Sequence, residues 1–312
     1  MENNTILEVK NVSVLMKDRF LVQDASFSLE KGSCLGIIGE DKSGKTSLIK
    51  AISGSLPISD GQVLFDGVDI QENPDVLKNI NLCLDPPVFF KYQSVYENIS
   101  FLLSLAGDVS KKKIMAVLDR FHLSSKKNKK VYSLSYYEKK LMALALAFIT
   151  EPTLLILDEP FKNLPEVSIR TIDMYLEELR SKGVTLILTS QNFEQLEDEC
   201  DNYLFMQDRK VVNILAASEC EEKSDIKPYA FVKVKYPHYC GKLIMENFNL
   251  KVKLLGQKVV FEANEDTTAE IIKFFTKAKL SVYSAGYLTR KSEKIFVNLT
   301  PYFKEVKKWK KL

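Results

Sequence analysis

The segment Gly39-Glu40-Asp41-Lys42-Ser43-Gly44-Lys45-Thr46 follows the pattern GxxxxGK[ST], whose chemistry is the binding of a nucleoside triphosphate. Its glycines let backbone N–H groups turn toward phosphate oxygens. Lys45 brings them a positive charge, and the Thr46 hydroxyl can ligate Mg²⁺. Ser47 carries the loop into a helix whose N-terminal dipole favours the same anion. Further along, Leu154-Leu155-Ile156-Leu157-Asp158-Glu159 is an apolar run ending in two carboxylates. In phosphate-loop NTPases the first, Asp158, holds Mg²⁺ through its water shell, and the second, Glu159, orients or deprotonates the attacking water. ATP is the expected triphosphate and Mg²⁺ the expected ion. Each motif has a plainer reading, a glycine turn with a surface lysine and a strand with an acidic turn. Their joint occurrence favours the nucleotide.

The elements around them suit that chemistry. Cys34-Leu35-Gly36-Ile37-Ile38 is continuously apolar before the loop, and Ser47 to Ile52 continues with helical spacing; this is strand, loop, helix. Leu154 to Leu157 and Val184 to Leu188 are also continuously apolar, as parallel strands covered on both faces are. Helical stretches over Lys111 to Phe121, Glu138 to Ile149 and Val167 to Lys182 alternate with them, which gives an α/β phosphate-loop NTPase core. Ile6 to Val12 and Ala25 to Leu29 alternate as half-buried strands and predict an antiparallel opening.

Net charge is only +3 on 44 basic and 41 acidic residues, so nothing in the balance points to nucleic acid. The five cysteines are scattered without CxxC or Cys/His clusters, which predicts neither a disulfide framework nor a zinc site, and a reducing compartment. Leu141 to Ile149, the longest apolar run, is about half of the roughly 20 residues a membrane helix needs. The N-terminus has no signal-like pattern.

Together, the phosphate loop, Leu134-Ser135 and Leu154 to Pro160 resemble the ATP-binding subunit of ABC transporters, with that family's spacing. The likeness runs from about residue 7 to residue 212. It is closest in character to bacterial antibiotic and bacteriocin-immunity exporters, whose C-terminal extension the stretch from Glu293 to Thr300 resembles. The resemblance implies a peripheral subunit on the cytoplasmic membrane face, partnered by membrane-spanning subunits and a second ATP-binding subunit, homo- or heterodimeric. It implies that Ser135 donates to the partner's γ-phosphate, that Asp85 stands at the Mg²⁺-contacting position, and that Gln191 stands where a histidine clamps the γ-phosphate. The aromatic residue that stacks on adenine aligns near Met16, with Phe20 as the substitute. The stretch from Asp85 to Glu97, with Val88-Phe89-Phe90-Lys91-Tyr92, is expected to receive the membrane partner.

Several positions depart from the family pattern. The LSGGQ signature reads Leu134-Ser135-Tyr136-Tyr137-Glu138, Pro165 replaces an aspartate, and Gln191 cannot become cationic. The expectation is an ATPase that binds ATP well and turns over slowly, with a nucleotide-dependent regulatory or structural module as the alternative. Domain organisation is read as 1–217 for the ATP-binding domain with a helical subdomain over about 86–150, 218–228 for a polar linker, and 229–312 for a small α+β domain. Within the last, strands are expected near Ser281 and Ile295 and a helix opened by Asp266. The basic tail, Phe303 to Leu312, has a membrane-surface reading and a plainer one as a frayed end.

Overall fold

The computed structural model describes residues 4–104, 110–197, 199–224, 229–288 and 291–300, and the chain divides into two compact units, Met1–Ile214 and Leu215–Leu312. The first opens with the long antiparallel pair β1 (Thr5–Met16) and β2 (Arg19–Glu30). They are joined by Lys17 and Asp18, both at positive φ, as a tight turn between twisted strands requires. β3 (Cys34–Ile38) is buried at every residue and leads into α1 (Lys45–Ile52). The edge strands β4 (Asp60–Phe65) and β5 (Val68–Asp69) and then β6 (Ile80–Cys83) follow.

The next stretch is helical, with α2 (Val95–Ser104), α3 (Lys111–Arg120) and α4 (Tyr136–Thr150). The core resumes with β7 (Leu154–Leu157), α5 (Glu166–Ser181), β8 (Thr185–Ser190), β9 (Asn202–Gln207) and β10 (Lys210–Ala216). The described strands form one sheet in the order β5-β4-β1-β2-β10-β9-β3-β8-β7-β6. β3, β6, β7, β8 and β9 run parallel, whereas β1 pairs antiparallel with β2 and β4. Leu154, Leu155, Ile156 and Ile187 are fully buried, each stabilising the core by about 1.5–3 kcal/mol relative to exposure. Because β3, β8 and β7 are parallel neighbours, the segments leaving their C-terminal ends emerge on one edge of the sheet, where open α/β sheets bind ligands.

The second unit contains α6 (Ala217–Ser224), β11 (Tyr229–Val234), α7 (Pro237–Phe248), β12 (Val252–Leu255), β13 (Lys258–Glu262), α8 (Glu265–Lys277), β14 (Val282–Tyr287) and α9 (Lys291–Leu299). Its sheet is antiparallel in the order β12-β13-β11-β14. Ala230, Val232, Val259 and Phe261 of the sheet share a core with Ile244 of α7 and Ile271 and Phe275 of α8.

Three expectations are corrected here. The polar stretch expected as a linker over 218–228 is helical as far as Ser224, because α6 packs against α9 and buries Cys220. Ile295 lies in a helix, α9, where Ile295, Phe296 and Val297 are buried together, a contiguous burial that a one-sided strand does not give. α8 is opened by Asn264, whose side chain accepts the N–H of Thr267 at 2.9 Å, so Asp266 falls inside the first turn. Phe303 to Leu312 lies outside the described residues.

Candidate functional site

The loop between β3 and α1 has no room for side chains at its glycines. A Cβ on Gly39 would stand 2.4 Å from Ser43 Oγ and 2.6 Å from the Met206 carbonyl oxygen, and one on Gly44 would stand 2.8 Å from the Leu21 carbonyl oxygen. Gly44 also has φ 108°, a backbone conformation open to glycine alone. Lys45 is buried, and its Nζ donates to the carbonyl oxygens of Gly39 at 2.6 Å and Glu40 at 3.2 Å and stands 3.7 Å from Glu159 Oε1. Burial lowers its pKa, against the pull of Glu159 and Asp158. Ser43 Oγ is buried without a hydrogen-bond partner, an orphan that suits a phosphate oxygen.

Across the cleft, Asp158 is held by two hydroxyls. Thr46 Oγ1 donates to its Oδ2 at 2.9 Å and Thr189 Oγ1 to its Oδ1 at 2.6 Å. Thr189 Oγ1 in turn accepts the N–H of Glu159 at 3.0 Å. Glu159 has φ 49°, and burial raises its carboxyl pKa while Lys45 and Lys162 oppose that rise. Among the described residues no group of three or more His, Cys, Asp or Glu could form a metal cage. One hydroxyl and one carboxylate fit Mg²⁺, which keeps waters and takes phosphate oxygens as its remaining ligands.

Ser43, Gly44, Lys45, Thr46, Asp158 and Glu159 line a cleft of about 410 Å³ together with Asp41, Lys42, Ser47, Gln191, Asp85, Lys162, Arg19 and Arg209. The expected residues Gln191 and Asp85 are thus brought to the phosphate loop. Phe20 is not: it is 42% exposed, and its neighbours Arg19 and Leu21 line the cleft instead, because alternate residues of a strand face opposite ways. Arg209 is placed by its N–H, which donates to the Ser43 carbonyl oxygen at 3.0 Å.

The N-terminus of α4 carries a capping box. Ser135 Oγ accepts the N–H of Glu138 at 3.2 Å and the Glu138 carboxylate accepts the N–H of Ser135 at 2.7 Å. Ser135 is exposed and outside the cleft. Asp85 has other partners than those expected at a metal. Tyr136 Oη donates to its Oδ1, and Lys140 and Lys162 stand 3.8 Å from its two oxygens. Lys140 is itself buried and donates to the carbonyl oxygens of Glu159 and, at 2.9 Å, Pro160. Burial pushes its pKa down to about 8.

Residues 22–162 match the family model of the ABC transporter. That stretch, just under half of the chain, is similar to the ATP-binding domain of ABC transporters. The chain is similar to the uncharacterized ABC transporter ATP-binding protein YhcH of Bacillus subtilis, 28% identical over 96% of this chain and 98% of that protein. The lantibiotic transport ATP-binding protein SrtF of Streptococcus pyogenes is 25% identical over 66% of this chain and 89% of its own length. The spermidine/putrescine import ATP-binding protein PotA of Bacteroides thetaiotaomicron is 29% identical over 68% of this chain and 47% of its own length. Among solved structures, the dimeric cassette MJ0796 bound to ADP and Pi shares the fold with a TM-score of 0.62 at 19% identity, covering 68% of this chain and 99% of that one. No helix among the described residues is long and apolar enough to cross a membrane.

In and around this cleft, sequence reasoning missed Thr189, Lys140, Lys162, Arg19 and Arg209. Thr189 was legible only as part of a buried strand end. Lys140 had one available signal, a lysine inside the longest buried helical stretch, which needs a partner.

Proposed function

We propose that the chain is the ATP-binding subunit of an exporter for a peptide, antibiotic or similar compound, binding Mg-ATP firmly and hydrolysing it slowly. The convergence of Lys45, Thr46, Asp158 and Glu159 in one cleft, with Thr189 buried behind the two carboxylates, carries this reading. Lys45 and the loop N–H groups would hold the β- and γ-phosphates, Thr46 and Asp158 the Mg²⁺, and Glu159 the attacking water, while Gln191 would donate to the γ-phosphate. The ion supplies charge neutralisation of the phosphates when bound. Ser135 would reach the nucleotide of a second subunit, of the same or another chain, when the pair closes. Val88, Phe90 and Tyr92 are exposed and form, with Phe101 and Tyr132, an aromatic surface suited to a membrane-spanning partner.

Export is supported by the likeness to SrtF; the likeness to PotA speaks for import, so direction is read directly by transport into or out of sealed vesicles carrying the assembled complex. ATP-dependent accumulation in right-side-out vesicles would sink the export reading. A regulatory module of very low turnover is the second reading, favoured by the bond between Tyr136 and Asp85, which occupies two positions that the family uses for catalysis. Turnover that stays at background with the membrane partner present selects it.

A further inference from the structure

Glu159 occupies a left-handed backbone conformation, φ 49°, which a residue with a side chain holds only when its surroundings impose it. Its peptide groups are anchored on both sides. The N–H donates to Thr189 Oγ1 at 3.0 Å, and the carbonyl oxygen accepts from Lys140 Nζ. A second bond from Nζ, to the Pro160 carbonyl oxygen at 2.9 Å, fixes the turn beyond. The direction of the Glu159 side chain is set by that turn, and a charge-assisted bond from an ammonium is stronger than a neutral one.

A buried ammonium needs a counter-charge. Lys140 has a side chain 7% exposed, and Asp85, itself 10% exposed, stands 3.8 Å from it. Tyr136 completes the arrangement: its hydroxyl donates to Asp85 Oδ1, and the Lys140 ammonium lies 4.8 Å from its ring centroid. A glutamine at 85 would deprive the ammonium of the carboxylate that acts on it most strongly, and a glycine at 136 would remove both the donor and the ring. The aspartate and the tyrosine therefore belong together, and what they support is Lys140.

We propose that Lys140 is a positioning residue for Glu159, and that Asp85 and Tyr136 act on the reaction through it. The inference rests on the reading of Glu159 as the carboxylate that orients water.

The test uses the full chain, with single-turnover hydrolysis at saturating Mg-ATP and the affinity for a fluorescent ATP analogue measured separately. Lys140→Ala is expected to slow hydrolysis by on the order of tenfold to a hundredfold, as small displacements of catalytic groups do, with Kd within about threefold of the parent. Lys140→Gln keeps a donor for the two carbonyls but removes the buried one of the two ammonium groups that face Asp85; combined with Asp85→Asn it should recover to within about threefold of the parent rate, and alone it should not. This double variant also carries the test if Lys140→Ala fails to fold. An unchanged rate in Lys140→Ala overturns the proposal. So does a rate that falls only in step with affinity, or a double variant that recovers nothing. Glu159→Gln, run in parallel, separates the two layers: parent-like hydrolysis there removes the assignment of Glu159 itself, whereas an inactive Glu159→Gln beside an unaffected Lys140→Ala removes only the positioning role.

Discussion

The phosphate loop and the N-terminus of α4 are two places where this family's pattern uses glycine to bring backbone N–H groups to an anion, and here they have diverged. In the loop the glycines persist because there is no alternative. A Cβ at Gly39 or Gly44 would collide with Ser43 Oγ, the Met206 carbonyl or the Leu21 carbonyl, all within the same folded unit. At α4 the corresponding positions hold side chains. Tyr136 and Tyr137 stand at the first two helical positions, and the Tyr136 hydroxyl turns inward to Asp85 of its own chain. Crowding within one chain preserves a motif, whereas a surface completed by a second molecule leaves room for replacement.

The sharpest way to break this comparison is at the loop. Lys45→Ala should weaken ATP binding by on the order of a hundredfold, about 2.7 kcal/mol, read by titration with a fluorescent ATP analogue; affinity near the parent would move the nucleotide elsewhere. Glu159→Gln should retain that affinity while cutting turnover by on the order of a hundredfold, with an ATP-dependent dimer accumulating in light scattering. If dimer and turnover disappear together with binding, Glu159 is structural.

The α4 side of the comparison predicts a gain. Tyr137→Gly, which leaves Asp85, Tyr136 and Lys140 in place, should raise steady-state hydrolysis by about threefold to tenfold if the altered signature limits turnover. A Tyr137→Gly variant no faster than the parent, yet still binding ATP, would show that the limit lies away from position 137. Smaller effects are expected at the nucleobase end. Arg19→Ala should weaken ATP by about threefold to tenfold and Phe20→Ala by less than about twofold, and the reverse ranking would restore Phe20 as the stacking residue.

Smallest is a pH effect on stability. The Lys140 ammonium, pushed by burial down to about 8 from 10.5, binds fewer protons folded than unfolded between those values. Its unfavourable contribution is therefore fully present below pH 8 and relieved as pH rises through the window. Lys45 shifts in the same direction, so the contribution of Lys140 is read as the difference in denaturation midpoint between the parent and the Lys140→Gln, Asp85→Asn variant. Parallel curves from pH 8 to pH 10 would remove the burial argument.

The residues proposed to bind phosphate could be read from sequence because each acts through its immediate neighbours. Gly39 to Thr46 needs only the strand before it and the helix after it, and Asp158-Glu159 only the buried run that delivers them. Polar composition misled at α6, where the stretch lies on a helix that buries Cys220. Phe20, expected from the alignment with the family, does not line the cleft that its neighbours Arg19 and Leu21 line. The partners of Asp85 and Glu159 were decided by tertiary structure alone. Tyr136 meets Asp85 across 51 residues of chain, Lys140 meets the Glu159 carbonyl across 19, and Thr189 meets its N–H across 30. No local pattern encodes such a meeting, because hydrogen bonds and ion pairs act over a few ångströms and depend on which helix and strand ends the fold brings together.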